Sequence, residues 1–148
     1  MSAAAFGRFY DDGEVIVRQG EPADSLYVVQ DGRVEIVAET STADVVLRSV
    51  GRNEIFGEMA IFGGGVRSAT VRSKGRSRVL TLDRDNFMRR ITEDPSLAFG
   101  MIESMGNRVR ELSHEVVRLR VATGVTRVER ATDAMREPGA LPRRRRPR

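Results

Sequence analysis

The chain has 148 residues, 40% of them apolar, which suits one domain with its own core and an appendage. It has no Cys, which excludes disulfides and Cys-ligated metal, and its single His, His114, leaves no basis for a His-built metal site or a Ser-His-Asp triad. The formal net charge is +4, but Arg143 to Arg146 and Arg148 carry it, so the basic balance belongs to the tail and marks no basic binding face.

From residue 13 the chain reads as short strands separated by turn signals. Glu14 to Arg18 is strand-like and stops at Gly20. Ser25 to Gln30 and Arg33 to Val37 flank Asp31-Gly32, a dipeptide that predicts a hairpin turn because a type I′ turn needs positive φ. Val45 to Val50, Thr70 to Arg72 and Arg78 to Leu82 follow as further strands. Many short strands at regular spacing predict an antiparallel barrel or roll.

The period changes at Asp83, which is placed to cap a helix through Phe87, Met88 and Ile91. Asp94-Pro95 then opens a long helix, an acid at the cap and Pro at the first helical position. Its apolar residues Ile102, Met105, Val109, Leu112, Val116 and Leu119 form a heptad seam with β-branched residues at a, which favours a parallel two-stranded coiled coil. In that register Glu115 at g meets Arg120 at e across a dimer, while His114 at f faces solvent. Residues near 97–105 are expected to pack on the protein's own roll, and residues 109–119 to pair with a second copy. Gly124 interrupts the helix, and residues 125–135 read as a weak helix before the Pro- and Arg-rich end. The resulting division is a tail over 1–8, a β-roll over 9–93, a long helix over 94–122 and a basic tail over 123–148. No apolar run approaches the roughly 18 residues needed to span a bilayer. No signal peptide is legible in MSAAAFGRFYDDGE, so the expectation is a soluble, cytoplasmic protein without a membrane partner.

The chemistry concentrates in FGEMAIFGGGVRSAT, residues 56–70. Gly57 followed by Glu58 to Phe62 suits a tight turn entering one short helical turn, whose first N–H groups lack internal partners and can receive an anion. Arg67 offers a fork of donors that matches two phosphate oxygens. An acid beside a phosphate repels it unless the acid accepts a hydrogen bond from a hydroxyl, so Glu58 points to a sugar phosphate or nucleotide. On local chemistry alone a second reading stands level with it: Glu58 and Arg67 pair with each other at the base of a loop.

Phe56-Gly57-Glu58-Met59-Ala60 followed by Arg67-Ser68-Ala69-Thr70 resembles the phosphate-binding cassette of cyclic nucleotide-binding domains. Gly13, Gly20 and Gly32 upstream, and LDRDNFMRRITEDPSL leading into the long helix, extend the resemblance to roughly residues 9–120. It implies a mainly β fold with α, an antiparallel jelly-roll-like β-roll followed by a long C-terminal helix. It implies that Glu58 accepts the ribose 2′-OH, that Arg67 binds the cyclic phosphate, and that backbone N–H groups around Gly57, Met59, Ala60, Ser68 and Ala69 complete the cradle behind Phe56. Ser68 resembles the small residue of cAMP-preferring members, which places cAMP ahead of cGMP as ligand. The sensor half of bacterial catabolite-activator-type regulators is similar in outline, and by alignment from Pro95 it places Leu112 and Ser113 at the base.

The chain departs from that type in two respects. Only about eight residues precede the first strand, where the family usually has helices, and residues 123–148 are too short and too rich in Pro and Arg for a helix-turn-helix domain. The expectation is therefore a non-enzymatic sensor without metal or further cofactor. It would dimerise through residues 102–119 and pass ligand binding through its last helix to an effector. Sequence-specific DNA binding is not expected. The alternatives are a ligand-free structural dimerisation module, a truncated transcription regulator, and a DNA-binding regulator acting through the Arg tail.

Overall fold

The computed structural model describes residues 6–124. Six strands and three helices follow in order: β1 (Arg8–Tyr10), β2 (Val15–Val17), β3 (Ser25–Glu39), β4 (Asp44–Val50), β5 (Ile55–Phe56), α1 (Met59–Gly63), β6 (Thr70–Asp83), α2 (Arg84–Glu93) and α3 (Ser96–Thr123). All strand pairings are antiparallel. The sheet path is β1-β6-β3-β4, with β2 also on β6 and β5 on β3. This is the expected β-roll followed by a long helix. The chain divides into two compact units, residues 1–103 and 104–148.

The predicted hairpin at Asp31-Gly32 does not form. β3 runs straight through it and pairs with β6 from Ser25↔Asp83 to Val37↔Thr70, with register shifts on either side of Asp31. Thr70 to Arg72 and Arg78 to Leu82, read as two strands, are likewise one strand. The dipeptide makes a bulge instead of a turn. Gly32 has φ 77°, and a Cβ there would lie 2.4 Å from the Arg76 carbonyl oxygen. Glycine thus serves close approach of two bulged strands as well as positive φ. Across the bulge the buried apolar positions of β3 are Leu26, Val29, Val34 and Val37, a spacing that a strictly alternating strand does not give. Gly32→Ala should therefore cost roughly 2–4 kcal/mol in urea unfolding. A midpoint equal to wild type would show that the bulge relaxes freely.

The core joins Tyr10, Val17, Val29, Val34, Val50, Phe56, Val71 and Val79, with Ile16, Tyr27 and Ile36 packed against it. On the β3–β6 surface Lys74 Nζ donates to Glu35 at 2.8 Å and Arg72 donates from Nε and Nη2 at 3.3 Å. These bonds, Lys74 first, hold the Glu35 carboxyl below its usual range. A depressed folded-state pKa adds stability above the unfolded value and loses it as pH falls through the folded one. Acidification from neutral pH to below 4.5, the ordinary value, should therefore lower the unfolding midpoint of wild type more than that of Glu35→Gln. Equal slopes would assign no stabilisation to this carboxylate.

Both helix starts follow the sequence. Asp83 caps α2 by accepting from the Asn86 N–H at 2.7 Å. Asp94 accepts from the Ser96 N–H at 3.1 Å, with Pro95 opening the first turn of α3. Gly124, at φ 70°, follows the last helical residue. The seam is only partly as expected near the helix start. Met101 is buried and Leu97 half-buried, whereas Ile102 is 67% exposed. Residues four apart share one helical face, and the covered face here is set by Leu97 and Met101, one residue short of the seam. Further along, Val109, Leu112, Val116 and Leu119 are exposed. The weak helix expected over 125–135 and the basic end lie outside the described residues. Among the described residues no helix is long and apolar enough to cross a membrane.

Candidate functional site

The site is built on the end of β5, on α1 and on the loop that leads into β6. Phe56 anchors it: its side chain is fully buried and stacks on Tyr27, with ring centroids 5.0 Å apart and planes 12° from parallel. Gly57 follows at φ 75°, a left-handed conformation that glycine adopts without strain. The chain then turns at once into α1, with the Ala60 N–H donating to the Gly57 carbonyl at 3.2 Å and the Ile61 N–H to the Glu58 carbonyl at 3.1 Å. Glu58 sits at the N-cap position, is 4% exposed, and its carboxylate does not cap the helix.

Arg67 comes in from the other side of the glycine run. Its backbone is clamped to the loop after β2: its N–H donates to the Glu21 carbonyl at 2.8 Å, and its carbonyl accepts from the Gly20 N–H at 2.8 Å. Pro22 bridges to Val66 in the same antiparallel sense, and the Ala23 N–H donates to the Gly65 carbonyl. The last of the three glycines is thus tied into this clamp. Downstream, Thr70 accepts from the Gln19 N–H at 2.9 Å and donates to the Glu39 carboxylate.

The Arg67 side chain is buried, at 7% exposure. Its Cζ lies over the Tyr27 ring, 5.2 Å from the centroid, and Nη2 is 3.5 Å from the Ser25 hydroxyl. Nη1 is buried without a hydrogen-bond partner among the described residues. A Cβ on residue 57 would stand 2.9 Å from that nitrogen. The absent side chain of Gly57 therefore makes room for the guanidinium itself. A buried donor without a partner costs about 1–3 kcal/mol, a cost that an oxyanion set against Nη1 would offset.

The chain matches the family described as cyclic nucleotide-binding domain over residues 7–94. The chain belongs to the cyclic nucleotide-binding domain family. It is 39% identical over 84 residues to a cAMP-dependent protein kinase regulatory subunit of Dictyostelium discoideum, covering 54% of this chain and 26% of that one. It is 35% identical over 108 residues to a cGMP-dependent protein kinase of Caenorhabditis elegans, covering 70% and 14%. Among solved structures, the catabolite activator protein of Thermus thermophilus superposes with a TM-score of 0.68 at 29% identity, covering 77% of this chain and 55% of that one. The chain thus spans between about a seventh and about half the length of these relatives.

Of the expected cassette residues, Gly57 lies against the Arg67 guanidinium, and Phe56 is linked to Arg67 through the Tyr27 ring. Ala69 is buried, Ala60 half-buried, and Met59 and Ser68 are exposed on the same stretch. Leu112 is 57% exposed, and Ser113, also exposed, donates its hydroxyl back to the Val109 carbonyl at 2.8 Å, a bond within the helix. Sequence reasoning passed over Ser25 and Tyr27 in the site. They lie some forty residues before Arg67 and carry no motif of their own; only the pairing of Tyr27 with Phe56 across β3 and β5 brings them in.

Proposed function

We propose that this domain is a regulatory module that binds a cyclic nucleotide, with cAMP preferred to cGMP, and hands the binding event to an effector through α3. The observation that carries the reading is the buried Arg67 guanidinium with an unpartnered Nη1, held against Gly57 in a family whose ligands pair a cyclic phosphate with a ribose. In this reading Arg67 grips the phosphate and the buried Glu58 accepts the ribose 2′-OH. The backbone around Gly57, Met59, Ala60, Ser68 and Ala69 lines the cradle, and the exposed Leu112 and Ser113 are base contacts. The preference for cAMP rests on Ser68. No step of bond making or breaking is assigned to the site.

The seam on α3 supports a homodimer as the working form. Ligand can bias a shift of that helix only by its differential affinity for two states, so the helix and the cradle must respond together. Isothermal titration of folded protein with cAMP and with cGMP tests the reading, cAMP being expected to bind more tightly. No heat with either would remove it, and tighter binding of cGMP would overturn the role given to Ser68.

A further inference from the structure

Resting on that reading, we infer that Tyr27 is a positioning residue for the phosphate grip, acting through Arg67. An arginine has many rotamers, and the entropy lost when it is ordered on a ligand lowers affinity unless the fold orders it beforehand. Few groups are seen to order Arg67. Its Nη2 contact with Ser25 is 3.5 Å long, at the limit of a hydrogen bond. Gly57 shapes the space without offering a side chain. The extended partner is the Tyr27 ring under Cζ, and that ring is itself fixed by stacking on the fully buried Phe56.

The geometry suits the task. An aromatic ring beneath the central carbon of a guanidinium attracts its charge through the π face and consumes none of its N–H donors, which lie in the guanidinium plane. A carboxylate in the same place would consume donors and compete with phosphate for the charge. Tyr27 thus orders the cation while leaving Nη1 for the oxyanion. The sequence of contacts runs from the core outward: Phe56, Tyr27, Arg67, ligand. The hydroxyl of Tyr27 has no part in it, so phenylalanine suffices at this position.

Two measurements on the intact chain test this. In protein without nucleotide, the order parameter of the Arg67 Nε–Hε group should fall in Tyr27→Leu and stay at the wild-type value in Tyr27→Phe. In titrations with cAMP, Tyr27→Leu should bind about threefold to thirtyfold more weakly, the range expected of a cation–π contact, and Tyr27→Phe should bind like wild type. With Arg67→Ala already present, adding Tyr27→Leu should cause no further loss. Unchanged order at Arg67, or an equal loss of affinity with and without Arg67, would overturn the inference. Wild type that binds no cyclic nucleotide, yet shows the Tyr27-dependent order, would refute the proposed function and leave the positioning role standing.

Discussion

Arg67→Ala should lower cAMP affinity by about a hundredfold to several thousandfold. A hydrogen bond to a charged group contributes about 1.5–3 kcal/mol, and a forked contact makes two, so roughly 3–5 kcal/mol leaves with the guanidinium. The same change should move the unfolding midpoint little. Alanine loses the packing on Tyr27, but it also removes a buried Nη1 that has no partner within the described fold. Stability and affinity therefore separate at this position, which is the mark of a residue retained for a ligand. Arg67→Lys keeps the charge and loses the fork, and should fall between the two. Affinity within threefold of wild type in Arg67→Ala would place the phosphate elsewhere on the domain.

Leu112→Asp should turn a dimer into a monomer in analytical ultracentrifugation. Ile102, Val109, Leu112, Val116 and Leu119 are exposed along a helix of 28 residues, at the steps of a heptad seam. Fully burying one such side chain contributes about 1.5–3 kcal/mol, and in a symmetric pair each substitution counts twice and sets two carboxylates side by side. The dissociation constant should rise by at least about a hundredfold on that count. Val117 is also exposed but stands off the seam, at heptad position b, so Val117→Asp should leave the dimer intact. A wild type that sediments as a monomer would end the argument from the seam.

What could be read beforehand was what depends on neighbours in sequence. The caps at Asp83 and Asp94 use a donor two or three residues away, so the helix starts were legible. The stop at Gly124 was legible for the same reason. Glu58 and Arg67 could be picked out together because only nine positions separate them in the sequence. Asp31-Gly32 misled because the conformation that closes a hairpin also opens a bulge, and only the facing strand decides between them. That strand begins at Thr70, far along the chain. Tyr27 was missed for the same cause: its meaning lies in Phe56 and Arg67, with no local mark on the sequence to signal either.

The pairing of β1, β2 and β3 with the single strand β6 also dictates when the roll can form. Arg8 must wait for Val79, and Ser25 for Asp83. During synthesis the first seventy residues can close little more than the β3–β4 pair, so the apolar residues of β3 stay uncovered until β6 has left the ribosome. Closure between positions so far apart is slow, and uncovered strand edges invite pairing with other chains. The nascent chain is thus most exposed to aggregation just before the strand that follows the cassette emerges. Once it does, the roll and the seat of Arg67 form together.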